Sequence, residues 1–139
     1  MHPQSILWPV FAMVALTFVV MFRMAHTRLG TMRRERIHPQ KVATSAQMAA
    51  AIADSRAADN FRNLFELPVL FYVAMLLAHV TQSTGLLVLV LAWAFVLARI
   101  VHSAIHCGYN RVTHRFAAFL VGALLLLLLW LVLLFALLR

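Results

Sequence analysis

A single cysteine, Cys107, stands in the chain, so an intrachain disulfide is impossible and cysteine usage carries no signal of redox compartment. A lone thiol of this kind reads as a buried, inert side chain. The N-terminal apolar run has no basic segment before it and no small-residue cleavage site after it, which predicts a retained helix and not a secretory signal. No aromatic residue interleaves the basic stretch from Arg23 to Arg56. Without such a stacking surface, the net charge of +8 is not the mark of a nucleic-acid-binding protein. Internal repeats, gating glycines and inverted halves are also missing, so a small transporter has little to support it.

What is present is apolar. Hydrophobic residues make up 64% of the chain and the mean hydropathy is +0.90, against about 45–50% apolar residues in a soluble domain. The class is therefore an integral membrane protein. The one long stretch without strong hydrophobicity, residues 23–62, is too short for a second domain, so residues 1–139 form one domain.

Four spans are predicted, at about 6–25, 60–80, 86–107 and 116–138, giving an all-α four-helix transmembrane bundle. Ile6 to Phe22 carries no charge. With Met24 and Ala25 it reaches the roughly 20 residues needed to cross about 30 Å of hydrocarbon. Trp8 and Arg23 suit its two interfaces. Seven of the twelve basic residues fall between Arg23 and Arg56, and Arg111, His114 and Arg115 mark a second basic connection. Positive charge in short loops marks the cytoplasmic side and meets anionic lipid headgroups there, so both termini are expected on the non-cytoplasmic side.

The connection 27–55 is long compared with the about 2–8 residues usual between bundled helices, and is either disordered or folded over a site. It breaks at His38-Pro39 and becomes Ala-rich after Thr44. Thr44 or Ser45 is a fitting cap, which predicts that the second helix begins there, before the bilayer. Pro68, one turn inside the second span, predicts a kink beside Glu66. Gly85 reads as a helix stop. The six leucines from Leu124 to Leu129 offer neither polar nor small groups and read as lipid-facing.

Polar residues inside the apolar spans are the candidate site. A buried ionisable group is costly at membrane depth, by about 2.5–3.5 kcal/mol on insertion scales, so Glu66 must face protein or water. On helix two, Arg56, Asp59, Asn63 and Glu66 recur at helical spacing on one face, with Arg62 within reach of both acids. On helix three, Arg99, His102, His106 and then Tyr109 or Asn110 form a second stripe. The two stripes could face each other and pair Glu66 with Arg99 or a histidine. One reading is mutual neutralisation that fixes helix register; the other is a wet cavity for a polar ligand, which two full stripes favour. His102 and His106 with one carboxylate resemble part of a zinc set, but no third histidine or cysteine is well placed and the arginines repel a cation, so no metal is expected.

Four spans of this order, a long basic first connection, Asn63-x-x-Glu66 followed by Pro68, and Ala98-Arg99-Ile100 in the third span together resemble the MAPEG family. These are membrane-associated proteins of eicosanoid and glutathione metabolism, and the resemblance covers nearly the whole chain. The run from Asn63 to Tyr72 looks most like the uncharacterised bacterial members, which implies a bacterial inner membrane. The family resemblance implies a homotrimer with sites between subunits and glutathione bound near the cytoplasmic face. It implies that Asn63 holds a glutathione carboxylate or amide and Glu66 its amino group, with Arg99 in the same pocket. Arg62, His102 and His106 join this binding set. Arg111 or Arg115 would stabilise the thiolate.

Two departures accompany the resemblance. Asp59 stands where enzymatic relatives carry an arginine, and His102 and His106 replace tyrosines. The function implied is a glutathione-dependent transferase or peroxidase acting on lipophilic electrophiles from the bilayer. The alternative is a non-enzymatic accessory or lipid-binding subunit of a larger membrane complex, which Asp59 and the very apolar fourth helix favour.

Overall fold

The structure is a computed structural model that describes residues 3–138. The start of the uncharged N-terminus, Met1-His2, which enters the topology expectation, lies outside the described residues. Among those residues every element is helical, and four segments are long and apolar enough to cross a membrane: Ser5–Arg34, Arg56–Val80, Leu86–Cys107 and Val112–Leu137.

A 3-10 turn, Pro3–Leu7, leads into α1, Trp8–Arg34. Pro9 sits in the first turn, where its missing N–H would have had no partner within the helix. At 27 residues, α1 is about 40 Å long. It outruns the hydrocarbon by two turns, so the connection expected from residue 27 begins only at Glu35. There Arg36, with φ 53°, turns the chain.

The second span does not begin at Thr44. Thr44 does cap a helix, with its hydroxyl accepting from Gln47 N and the Gln47 side chain accepting from Thr44 N, but that helix, α2 (Ser45–Ala51), ends after two turns. Side chains in the next segment compete for the backbone and break the helix. Asp54 accepts from the Arg56 backbone N–H at 3.3 Å and from Arg56 Nε and Nη2 at 2.8 and 2.9 Å. Ser55 Oγ donates to Asp59 at 2.6 Å. Helix formation restarts with α3, Arg56–Asn63. The Arg56 hydrogen bond holds the Asp54 carboxyl below its ordinary range. The connection folds back on the bundle: Val42 and Ile52 are buried, and Met48 and Ile52 close a small crevice with Met24, Arg28 and Arg62.

After a break at residues 64–66, α4 runs Leu67–Val80. Its end is turned by Gln82, with φ 56°. Gly85 is therefore not the stop of α4 but the N-cap of α5, Leu86–Cys107. The last helix, α6, Val112–Leu137, starts one turn before the expected residue 116. Its packing on α5 is the most extensive in the fold.

The leucine run is not wholly lipid-facing. Gly122, Leu126, Leu129 and Leu133 recur at spacings of four and three, so they share one face and are buried against the bundle. Leu124, Leu127 and Leu128 are exposed. The core between the helices is built on Met13, Ala74, Ala92 and a Phe71–Phe95 stack with ring centroids 4.7 Å apart. The alanines let the backbones approach, which matters where lipid competes equally well for apolar side chains.

The end of α5 is held by two other helices. A Cβ at Gly108 would lie 2.7 Å from the Ala104 carbonyl oxygen, so only glycine fits the turn. The last carbonyls of α5 lack intrahelical partners. Arg23 Nη2, from α1, donates to the Cys107 carbonyl at 2.8 Å, and Arg56 Nη1, from α3, to the Gly108 carbonyl at 2.6 Å. Cations at this end also complement the helix dipole.

Candidate functional site

The site grows from the break between α3 and α4. Pro68 has no N–H to give the Leu64 carbonyl, so one continuous helix is not sustained here. The chain passes through a turn in which Phe65 N donates to Arg62 O at 2.9 Å and Glu66 N to Asn63 O at 3.3 Å. Glu66 takes φ −97° and ψ −101° before α4 begins. The interruption leaves Asn63 and Glu66 side by side, and Asn63 Nδ2 donates to Glu66 Oε2 at 2.6 Å.

Behind Asn63 lies Arg99. Its residue exposure is 0%, and its Nη2 donates to the Asn63 side-chain and backbone oxygens. Its Nε and Nη1 have no partner among the described residues. Gly122 of α6 passes close to the Arg99 stem, since a Cβ there would lie 3.7 Å from Arg99 Cδ. Arg99 and Glu66 thus do not form the direct ion pair that facing stripes suggested. They connect through Asn63, with the guanidinium inside and the carboxylate exposed.

Glu66 opens onto a cleft of about 230 Å³ lined by Asp59, Asn63, Glu66, His102, His106 and Arg115, with Phe116 and Phe119 on its apolar side. His102 and His106 are buried, and their rings meet edge to face at a centroid distance of 5.5 Å. The Nδ1 atom of each is without a hydrogen-bond partner among the described residues. Arg115, one turn into α6, is steadied by the Asn110 side-chain oxygen, to which its Nη1 donates at 2.8 Å. The cleft combines two carboxylates, an amide, two imidazoles and a guanidinium beside aromatic rings. That set can bind a small zwitterionic molecule.

The model of the MAPEG family matches residues 6–135. This chain belongs to the MAPEG family. Membership, with four membrane-length helices, makes it an integral membrane protein and ties it to the glutathione-related transferase and peroxidase functions of the family. No curated protein and no solved structure matches it.

For a MAPEG chain the placement of the expected residues is instructive. Asn63, Glu66, His102, His106 and Arg115 come together around one cleft. Arg99 does not line it and reaches it only through Asn63. Arg62 turns to the other side of α3, where it pairs with Asp59 at 3.5 Å and borders the crevice under α2. Arg111 is the exposed N-cap of α6 and is not among the lining residues. Tyr109 is exposed and its hydroxyl meets His114 Nδ1 at 3.0 Å, away from the stripe that its spacing suggested.

Sequence reasoning missed a buried polar cluster beside the site. Asn60, with 0% exposure, donates through Nδ2 to Cys107 Sγ at 3.4 Å and accepts from Ser103 Oγ at 3.3 Å. The available signal was the helical spacing of Ser103 and Cys107, which puts both on the face of α5 next to α3. Among the described residues no three His, Cys, Asp or Glu side chains gather as a metal ligand set.

Proposed function

We propose that this protein binds glutathione in the cleft between α3, α5 and α6 and directs its thiolate at a lipophilic electrophile that arrives from the bilayer, as a transferase or peroxidase. The observation that carries this reading is the Arg99–Asn63–Glu66 relay, which holds a carboxylate at the mouth of a cleft that also presents an amide, two imidazoles and the Arg115 guanidinium. Glutathione carries an ammonium, two carboxylates and a thiol. Glu66 suits the ammonium, the Asn63 amide and Arg115 suit carboxylate and thiolate, and Phe116 and Phe119 suit the apolar partner. A guanidinium next to sulfur favours the thiolate, the reactive form. Arg115 takes that role in preference to Arg111 because it lines the cleft. Arg99 acts as a positioning residue. The family further supports a homotrimer, and the basic connection end supports a cytoplasmic site in an inner membrane with both termini on the other side.

Asp59 favours the second reading, a non-enzymatic accessory or lipid-binding subunit, because it lines the same cleft and repels a ligand carboxylate. Calorimetric titration of glutathione into wild type, Glu66→Gln and Arg99→Ala decides between them. Binding to wild type that weakens at least tenfold in Glu66→Gln, about 1.4 kcal/mol, is the expected result. A well-folded wild type that takes up no glutathione overturns the transferase reading and leaves the accessory one.

A further inference from the structure

Of the groups around the cleft, only the imidazoles are free to take a proton. Arg115 cannot, since guanidinium stays charged. Asp59 is engaged on both oxygens, by Ser55 at 2.6 Å and Arg62 at 3.5 Å. Glu66 accepts from Asn63 and is assigned to the ligand ammonium. His102 and His106 are 2% and 6% exposed and still line the cleft; their Nδ1 atoms are sealed from it and find no partner among the described residues, so a proton from the cleft reaches the ring at Nε2. Two polar rings this deeply buried, with hydrogen-bonding capacity unspent, are unusual among native side chains.

The surroundings distinguish the two rings. His102 lies deeper, against Phe119 with ring centroids 6.2 Å apart. His106 is one turn nearer the α5–α6 connection and the first turn of α6, which carries Arg115. The charges facing the pair are Arg99 on α5 itself, Asp59 and Glu66 from the α3 side, and Arg115 from α6. Asp59 can balance a positive His106 imidazole here, while Arg115 balances a negative sulfur.

We propose that His106 is the base that accepts the thiol proton in this cleft, with His102 holding the His106 ring by its edge-to-face contact. This rests on the glutathione reading above. The S–H bond breaks, the proton passes to His106, and the electron pair stays on sulfur beside Arg115. That pair then forms the C–S bond with the electrophilic carbon while the leaving group departs with its own bonding pair, and the proton leaves His106 for the leaving group or for water. Asp59 thereby has a function: it stabilises the imidazolium formed in the first step.

The test uses the full chain in detergent. Glutathione affinity, the ultraviolet absorbance of bound thiolate against pH, and transfer to an activated aryl chloride are compared in wild type, His106→Gln and His102→Gln. His106→Gln is expected to keep its affinity, to form thiolate only at higher pH, and to lose about 10²–10⁴-fold in transfer rate near neutral pH, the range for a general base. Raising the pH should recover part of the loss. His102→Gln should move the thiolate profile in the same direction by less. A His106→Gln profile that superimposes on wild type overturns the assignment while leaving glutathione binding intact. Absence of binding to wild type overturns the parent reading and this one with it. Should His106→Gln fail to fold, wild type alone decides through titrations in buffers of different ionisation enthalpy: retention of the proton by His106 predicts no release on thiolate formation, and one proton released to buffer per glutathione overturns the proposal.

Discussion

From Leu86 to Val96, α5 buries Val88, Ala92, Phe95 and Val96; from Arg99 to Cys107 it buries Arg99, His102, Ser103, His106 and Cys107. One unbroken helix thus presents two kinds of interior. The first half meets apolar partners, such as Phe71 on α4, and can only gain from fit, because lipid offers the same solvation as protein. The second half meets Asn60 and Asn63 and must satisfy each polar group or leave it stranded. The difference shows why α4 is regular while the segment before it is broken twice. Beside the polar half, the chain needs side chains and carbonyls turned inward, and Asp54, Ser55 and Pro68 supply the interruptions that turn them.

Removing a partner from the polar half should have the largest effect. Asn63→Ala leaves the buried Arg99 guanidinium only the long bond to the backbone oxygen of residue 63, and a buried group stripped of its partner costs about 1–3 kcal/mol, more when it is charged. Thermal unfolding in detergent should record that loss, and glutathione binding should vanish with it. A stability close to wild type would mean that Arg99 is not held by Asn63. A substitution in the apolar half should be milder and leave the ligand untouched. Phe71→Ala empties the stack on Phe95, but only packing is lost, so the effect should fall below the roughly 3–5 kcal/mol of such a truncation in a water-soluble core. Reduced glutathione affinity in this variant would erase the distinction between the halves.

The smallest effect concerns the connection. Because Arg56 lowers the Asp54 carboxyl, Asp54 stabilises the fold at every pH above its ordinary 3.8, and the contribution is lost only as pH falls through the lowered value. The carboxylate is 41% exposed, so solvent screens it and the change should be slight. Protease cleavage within residues 35–55 should stay constant down to that acid range and then rise. Cleavage that rises near neutral pH would show that another group holds the connection.

The fold was legible where one physical signal dominated. Uncharged runs of membrane length identify the first and fourth spans because nothing else accounts for them, and the second and third stay apolar enough to read as spans despite Glu66 and Arg99. The polar stripes were legible because helical spacing puts Asn63 with Glu66, and Arg99 with His102 and His106, whatever the packing. What spacing does not carry is which neighbour a face meets. Spacing puts Asp59 on the stripe and Arg62 beside it, within reach of both acids, but only the packing shows that α3 turns Arg62 toward α1 and α2 while Asp59 lines the cleft. The leucine run has no polar punctuation, so only the docking of α6 on α5 distinguishes buried Leu126 and Leu129 from exposed Leu127 and Leu128. Asp54 broke the second helix through side-chain bonds over two residues, a local competition that helix propensity does not weigh.

Cys107 makes the polar end of α5 observable without engineering. Its thiol accepts from Asn60, its carbonyl is held by Arg23, and it is the sole cysteine of the chain. A thiol-reactive probe therefore attaches at that corner alone. The rate of labelling, followed in native protein with and without ligand, reports how the packing of α1, α3 and α5 around the nearly buried thiol responds when the cleft is filled.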